Sequence, residues 1–252
     1  MFKKITLAAA IAASSSFATY TFFPVGDAHT GQAQITGDYS WGDEGGDWSS
    51  MQLQFSAEYV VIPNLELSIS KLGYQLWNEP DDYDGDDTDG FMAMTFGARY
   101  QFHPMFIAAL DLGIPLNADE VAAVDPFELY GAIQFTTDLI PNLSLGSELG
   151  FHWYFEDEDV TYGKILTLQA ELDYSIPSIH LTPWVGFEYD QRVTDTEYPE
   201  VDDGAGDNEI TIWVGAQYDI SKMLFVKAQY VFGRGDVFGD YMELQGTVGV
   251  NF

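Results

Sequence analysis

The feature that most constrains the fold of this chain is a two-residue alternation of apolar and polar side chains. The run MQLQFSAEYVV from Met51 puts its apolar residues on one face of an extended chain, and similar runs start at Leu143 and Glu209. Successive side chains of a β-strand point to opposite faces, so this period predicts strands rather than helices. We count twelve such segments, at 31–41, 48–61, 65–77, 91–102, 105–114, 127–138, 143–155, 164–174, 179–190, 209–220, 224–234 and 240–252.

The connections between these segments alternate between short and long. Short turns are predicted at 62–64, 103–104, 140–142, 176–178 and 221–223, and long loops at 42–47, 78–90, 115–126, 156–163, 191–208 and 235–239. The repeat of about 40 residues also fits a propeller blade, but a blade holds four short strands where this repeat holds two long ones. The pattern therefore predicts hairpins with all the long loops at one end.

Strand length separates a soluble sandwich from a membrane barrel. Strands of soluble proteins average about 5 to 6 residues, whereas a tilted strand needs about 9 to 11 to cross a membrane. The predicted strands are of the longer kind, so we expect an all-β, antiparallel, up-and-down transmembrane β-barrel of about 12 strands. The apolar face then contacts lipid, and the first strand pairs with the last because lipid tolerates no open edge. Aromatic girdles are expected at both ends, including Trp48, Trp77 and Trp153 near the long loops.

The first 18 residues predict an export signal. Lys3 and Lys4 precede an apolar run, and Ser16-Phe17-Ala18 forms a small-residue cleavage site. The apolar run is too short to cross a bilayer as a helix. We therefore expect residues 1–18 to be a signal peptide and residues 19–252 to be the barrel.

The C-terminal strand carries a resemblance to a known class. The chain ends in Phe252, with Met242, Leu244, Val248 and Val250 on the same face. This strand resembles the assembly signal of Gram-negative outer-membrane β-barrels of the porin-like class, although no single family is indicated. The resemblance implies insertion into outer-membrane lipid by the barrel-assembly machinery, with termini and short turns periplasmic and the acidic loops extracellular.

Side-chain parity also predicts which charged residues face the lumen. The predicted pore-lining residues are Asp38, Glu58, Arg99, Asp111, Glu128, Glu148, Glu171, Glu188, Lys227 and Glu243. Arg99 and Lys227 are expected to form ion pairs, and the remaining carboxylates would favour cations in an open pore. Inward glycines such as Gly150, Gly186 and Gly215 are expected to leave space for a narrow pore. The alternative is a closed barrel filled by these polar side chains.

The loop EPDDYDGDDTDG at 79–90 carries seven carboxylates in twelve residues. Asp82, Asp84 and Asp86 have the spacing of Ca²⁺ ligands, but the glycine and the final glutamate of an EF-hand loop are missing. The segment is therefore a weak Ca²⁺ candidate, and the alternative is a solvated acidic loop. No other cofactor is predicted.

Composition removes further classes of function. The chain has 40 acidic and 9 basic residues, a net charge of −31 and no cysteine, so nucleic-acid binding and thiol chemistry are excluded. His152 is the only histidine expected near the outer rim, and no serine accompanies it, so no enzyme is predicted. Two functions remain open: a narrow, cation-preferring passive channel for small solutes, or a structural or adhesive surface barrel whose acidic loops bind a partner or divalent cations.

Overall fold

A computed structural model describes residues 22–42, 48–78, 89–116, 127–155, 161–197, 202–235 and 240–252. Twelve long strands form the described structure. They are β1 (Gly31–Gly42), β2 (Trp48–Ile62), β3 (Leu65–Asn78), β4 (Met94–His103), β5 (Phe106–Ile114), β6 (Glu128–Ile140), β7 (Leu143–Tyr154), β8 (Ile165–Tyr174), β9 (Leu181–Arg192), β10 (Asn208–Asp219), β11 (Leu224–Gly235) and β12 (Tyr241–Asn251). A short 3₁₀ turn, Pro177–Ile179, precedes β9.

The twelve strands close into one antiparallel barrel. Each strand pairs with its neighbours in the sequence, and β1 pairs with β12 from Gln32↔Asn251 to Gly42↔Tyr241. Phe252, just after β12, continues this pairing. Gly31 N donates to Phe252 O at 2.8 Å, and Phe252 N donates to Gly31 O at 2.9 Å. Closure satisfies the backbone of both terminal strands, as a lipid environment requires. The predicted fold class and strand number are confirmed.

The two faces of the barrel wall differ as the alternation predicts. Leu53 is 60% exposed and Val248 56% exposed on the outside, whereas Gln54 and Thr247 beside them are buried inside. A continuous apolar exterior of this extent is incompatible with water and matches the lipid-facing band of a membrane barrel. Within the described residues, no helix is long and apolar enough to cross a membrane.

A bulge in β3 changes the parity of its second half. Lys71 adopts φ +57°, and the pairing of β3 with β4 stops at Ser70↔Thr95. The upper part of β3 pairs instead with a separate two-residue strand, Gly90–Phe91. A bulge inserts one extra residue, so every later side chain moves to the opposite face.

The predicted place of Trp48 and Trp77 in an outer aromatic girdle is wrong, because both rings lie inside the barrel. Trp77 follows the bulge and turns inward, where its ring stacks on Trp48 at 5.1 Å between centroids and 12° between planes. Trp48 is itself 4% exposed, because it shares the inward parity of Ser50 and Gln52. Trp153 does face outward, with 47% exposed.

Candidate functional site

The barrel interior is the candidate site because it is the concave, polar part of the molecule. All ten predicted lining residues lie on the inner face, where Asp38, Arg99, Asp111, Glu148, Glu188 and Glu243 are buried and Glu58, Glu128, Glu171 and Lys227 are half-buried. Their position follows from strand parity. Their role in a pore remains a prediction.

Arg99 on β4 is the centre of the polar network nearest the short turns. Its Nη1 donates to Glu66 Oε1 at 2.9 Å and its Nε donates to Gln134 Oε1 at 3.1 Å. Gln134 in turn donates to Glu148 at 2.7 Å, and Glu148 also accepts a hydrogen bond from Tyr130. The predicted ion pair of Arg99 is present, and the guanidinium is only 1% exposed.

Lys227 on β11 is held differently. Its Nζ donates to Gln34 Oε1 at 3.2 Å and lies 5.0 Å from the centroid of the Phe225 ring. Glu58 and Glu171 act on it electrostatically, but no carboxylate in the described parts of the chain is within ion-pair distance. The ion pair expected for Lys227 is therefore wrong, and an amide oxygen replaces the carboxylate.

A second polar network lies on β6 to β9. His152 Nδ1 pairs with Glu128 across β6 and β7, and the imidazole lies 4.3 Å from the Tyr130 ring centroid. On the next strands, Thr167 donates to Asp190 at 2.5 Å. His152 thus belongs to the wall network, and its described acidic partner is the strand residue Glu128.

A third network covers the inner face where β12, β1 and β2 meet. Ser40 donates to Glu243 at 3.1 Å, and Gln54 donates to Asp38 at 3.0 Å. Thr36 and Thr247 share a hydrogen bond of 2.9 Å. These three networks make most of the wall hydrophilic from one end of the strands to the other.

Aromatic rings cover the inward glycines. Three inward glycines each lie directly across from an aromatic residue on the neighbouring strand. The pairs are Gly186 with Trp213, Gly215 with Trp184, and Gly233 with Tyr241. In each pair the ring occupies the space that a Cβ at the glycine would need. The expectation that inward glycines leave an open lumen is therefore wrong at these positions. Glycine here permits an aromatic ring to lie flat on the neighbouring strand.

Among the described residues, the rings form the larger of two apolar clusters inside the barrel, the other being Ala109, Tyr130 and Ala132. The members of the larger cluster are Phe22, Trp48, Trp213, Val231 and Tyr241, with Trp77 and Trp184 packed against it. The indole N–H groups that reach polar partners donate to the wall: Trp213 to Glu171 at 2.5 Å and Trp184 to Gln229 at 2.8 Å. The interior thus combines carboxylates with aromatic surface.

One member of this cluster comes from outside the barrel wall. Phe22 belongs to the segment that precedes β1, and only 5% of it is exposed. The carbonyl oxygen of Phe23 accepts from Arg99 Nη2 at 2.7 Å, and Val25 N donates to Gln101 Oε1 at 3.0 Å. The segment therefore lies inside the barrel. Its position inside the barrel could not be predicted, because residues 22–30 have no alternation and the resemblance to outer-membrane barrels implies a periplasmic N-terminus.

Several further charged residues on the inner face also escaped prediction. Asp190 and Glu209 are buried there, and Asp173 lies beside Glu171. All three have the parity of predicted lining residues, so the alternation itself could have identified them. Lys71 acts electrostatically on Glu128 and His152, and its orientation depends on the bulge.

The Ca²⁺ candidate Asp82, Asp84 and Asp86 lies outside the described residues, so it remains a prediction. The described part of the chain has no group of three or more His, Asp or Glu side chains arranged to hold a metal ion. Phe252 is 57% exposed and its ring stacks on Tyr59 at 6.4 Å, but its role in assembly also remains a prediction.

Solved structures of outer-membrane barrels share this fold. An outer membrane channel from Pseudomonas putida F1 superposes with a TM-score of 0.75 at 13% identity, covering 91% of this chain and 98% of that chain. The NanC porin gives 0.58 at 11% identity, with 87% and 98% covered. The translocator domain of the autotransporter NalP from Neisseria meningitidis gives 0.57 at 12% identity, with 100% and 95% covered. At sequence identities of 11–13%, these similarities show the fold alone. A search of curated proteins found no match to the sequence.

A match between the sequence and a protein-family model identifies the family. The model described as "Putative MetA-pathway of phenol degradation" matches residues 54–248, from the second strand to the last. This range is most of the chain and includes eleven of the twelve strands wholly or in part. The protein is therefore an outer-membrane β-barrel that belongs to this family.

Proposed function

We propose that the protein is a passive channel for small solutes across the outer membrane. The observation that carries the proposal is the wall described above, in which carboxylates, amides and hydroxyls line the closed barrel along its length. Porins have a polar interior of this kind, which serves as a water-filled channel. The fold shared with a channel and a porin agrees with this function.

The charge of the wall supports a preference for cations. Carboxylates far outnumber the basic side chains on the inner face, and Arg99 is already neutralised by Glu66. Within a low-dielectric wall a surplus of one sign focuses the field and raises the local concentration of counter-ions. A cation therefore enters this lumen at lower free energy than an anion of the same size.

Single-channel recording tests both parts of the proposal. The refolded protein is inserted into a planar bilayer under a KCl gradient, and the reversal potential is compared with that of the triple variant Asp111→Asn, Glu148→Gln and Glu188→Gln. The expected result is a cation-selective reversal potential that moves toward zero in the variant. Asp138→Asn is the control, because Asp138 is an exposed carboxylate at the end of β6 next to a short turn. A wild-type reversal potential at zero contradicts the cation preference.

The aromatic cluster favours a second candidate, passage of small aromatic solutes. Stacked indoles inside a membrane barrel, such as Trp48 on Trp77, offer a surface that suits planar rings. The description of the family refers to phenol degradation, which agrees with such a solute. The test is the change in ionic current when phenol is added, with cyclohexanol as the non-aromatic control of similar size. Equal effects of the two alcohols contradict an aromatic site.

A further inference from the structure

Two buried carboxylates lie on the inner face where the last strand meets the first. Asp38 on β1 pairs in register with Gln245, and Glu243 is two residues before Gln245 on β12, so the two acids are diagonal neighbours. Glu243 acts electrostatically on Asp38, and among the described residues neither acid is within ion-pair distance of a basic side chain. Burial of two like charges is costly without a counter-charge. The pair therefore offers the negative charge that a bound cation requires.

Two serines complete a group of oxygen atoms around these acids. Ser40 on β1 lies directly across from Glu243 on one side and from Ser50 of β2 on the other. Asp38 is two residues before Ser40 on the same inward face, so it is diagonal to both of these partners. Diagonal residues of a sheet are about 7–8 Å apart, and two oxygens bound to one calcium ion are up to about 5 Å apart. The four side chains can therefore reach a common ion.

The hydroxyl of Ser50 is an independent sign of a ligand. Its Oγ has no hydrogen-bond partner among the described residues, and the residue is only 2% exposed. Oδ1 of the buried Asp38 likewise has no partner in the described part of the chain. Ser50 shares the inward parity of Ser40, whose hydroxyl contacts Glu243 at 3.1 Å, so the Ser50 hydroxyl is directed toward the acids. Buried polar atoms are normally satisfied, and a bound ion satisfies these two oxygens.

We propose that Asp38, Ser40, Ser50 and Glu243 form a calcium-binding site on the inner wall of the barrel. All donors are oxygens, which hard cations prefer, and the two carboxylates balance a divalent charge. The Ser40 hydroxyl donates its hydrogen to Glu243 and keeps its lone pairs for an ion. Calcium accepts an irregular set of ligands completed by water, whereas magnesium requires a near-ideal octahedron.

This site differs from the sites considered above. It contains two carboxylates and two hydroxyls, so it is consistent with the lack of a group of three acidic or histidine side chains among the described residues. It lies on strands rather than in the acidic loop at 79–90, and it does not depend on conduction through the lumen. Its ligands come from β12, β1 and β2, so a bound ion joins the strands at which the barrel closes. Calcium is therefore expected to stabilise the closed barrel, since a ligand that binds the folded state alone shifts the equilibrium toward it.

Calcium titration of the refolded full-length protein in detergent micelles tests the site. Binding is measured by isothermal titration calorimetry after removal of metals with EDTA, with magnesium as a second titrant. The site variants are Asp38→Asn, Glu243→Gln and Ser50→Ala. The matched control is Ser70→Ala, because Ser70 is 1% exposed and its Oγ also has no described partner, but it lies across from Thr95 rather than beside the acids.

A loop variant separates this site from the acidic loop. It combines Asp82→Asn, Asp84→Asn and Asp86→Asn, and it is titrated in the same way. Folding is checked by chemical unfolding of every variant in EDTA and in calcium. Asp38→Asn with Glu243→Gln is expected to be at least as stable as the wild type in EDTA, because it removes the repulsion between two buried carboxylates.

The expected result is calcium binding that is about 10-fold or more weaker in Asp38→Asn and Glu243→Gln. Ser50→Ala is expected to weaken it several-fold, whereas Ser70→Ala and the loop variant keep the wild-type affinity of this site. Calcium raises the unfolding midpoint of the wild type but not that of the double variant, and magnesium raises it less. A wild type that binds no calcium, calcium binding that is lost only in the loop variant, or equal binding by Ser50→Ala and the wild type overturns the proposal.

Discussion

Trp213 on β10 lies directly across from Gly186 on β9, and its indole fills the space that a Cβ at Gly186 would need. The same relationship holds for Trp184 and Gly215 on the same two strands, with the roles of the strands exchanged. Two reciprocal aromatic–glycine pairs thus fix the packing of this part of the inner wall. They also make the wall sensitive to the addition of a single methyl group.

Gly186→Ala is therefore expected to destabilise the barrel by about 1–3 kcal/mol, because the methyl group displaces the Trp213 ring from its site. The measurement is the free energy of unfolding in guanidinium chloride from lipid vesicles, followed by tryptophan fluorescence. Gly131→Ala is the matched control, since a Cβ on this strand glycine meets no atom within 4 Å. If both variants unfold like the wild type, the rings are not packed against the glycines.

The two ion pairs of Arg99 and Arg234 lead to contrasting predictions. Arg99–Glu66 is buried at 2.9 Å with side chains 1% and 6% exposed, whereas Arg234–Asp240 is 3.7 Å long with side chains 71% and 47% exposed. Arg99→Gln leaves a buried carboxylate without its cation and is expected to cost about 3–5 kcal/mol of unfolding free energy. Arg234→Gln, the control, is expected to change it by less than about 1 kcal/mol.

The double variant Arg99→Gln with Glu66→Gln separates pairing from packing. It removes both charges and keeps two side chains able to hydrogen-bond, so it is expected to lose less stability than the sum of the single variants. Chemical unfolding of all four proteins gives the coupling energy. Additive losses would show that Arg99 acts independently of Glu66 and contradict the paired arrangement.

The alternation of the sequence predicted the barrel well because side-chain parity is a local property of a strand. It placed Asp38, Glu148 and Glu188 on the inner face, and the same rule applied to every strand position would have added Asp190 and Glu209. Parity fails only where an extra residue enters a strand. Lys71 gives no compositional sign of its φ of +57°, and so the inward turn of Trp77 could not be predicted.

The position of the segment before β1 inside the barrel could not be predicted for a different reason. Phe22–Val25 has no periodic pattern, and its position depends on contacts with β4 and β7 that lie far along the chain. The filling of the glycine sites is likewise a cross-strand property, since the ring above Gly186 belongs to a residue 27 positions later. A glycine in a strand predicts close approach but does not reveal what approaches it.

Two short turns share a sequence and a conformation. Pro63-Asn64 and Pro141-Asn142 join adjacent strands, and both asparagines are left-handed, with φ of 69° and 68°. This is the position where a type II turn requires positive φ after proline. Asn142→Gly is therefore expected to keep or slightly raise stability, whereas Asn142→Val is expected to lose about 1–3 kcal/mol through backbone strain.

The yield of folded barrel and its unfolding free energy in vesicles test this turn. Asn251→Val is the control, because Asn251 is a strand residue near the same end and has no positive φ. Equal stability of the glycine and valine variants at position 142 would show that the left-handed conformation is not required. The same pair of substitutions at Asn64 should reproduce the result.

The apolar exterior predicts a cost for charge that depends on depth in the membrane. Leu53 in the middle part of β2 is 60% exposed, and Ile62 at the end of the same strand is 54% exposed. Leu53→Arg is expected to reduce the unfolding free energy in vesicles by about 2–4 kcal/mol, because the charge lies in hydrocarbon, and Ile62→Arg by about 0–1 kcal/mol, because it reaches the interface. The two side chains have nearly the same exposed fraction, so they differ mainly in depth. Equal losses of unfolding free energy at the two positions would therefore contradict the placement of the barrel across the membrane.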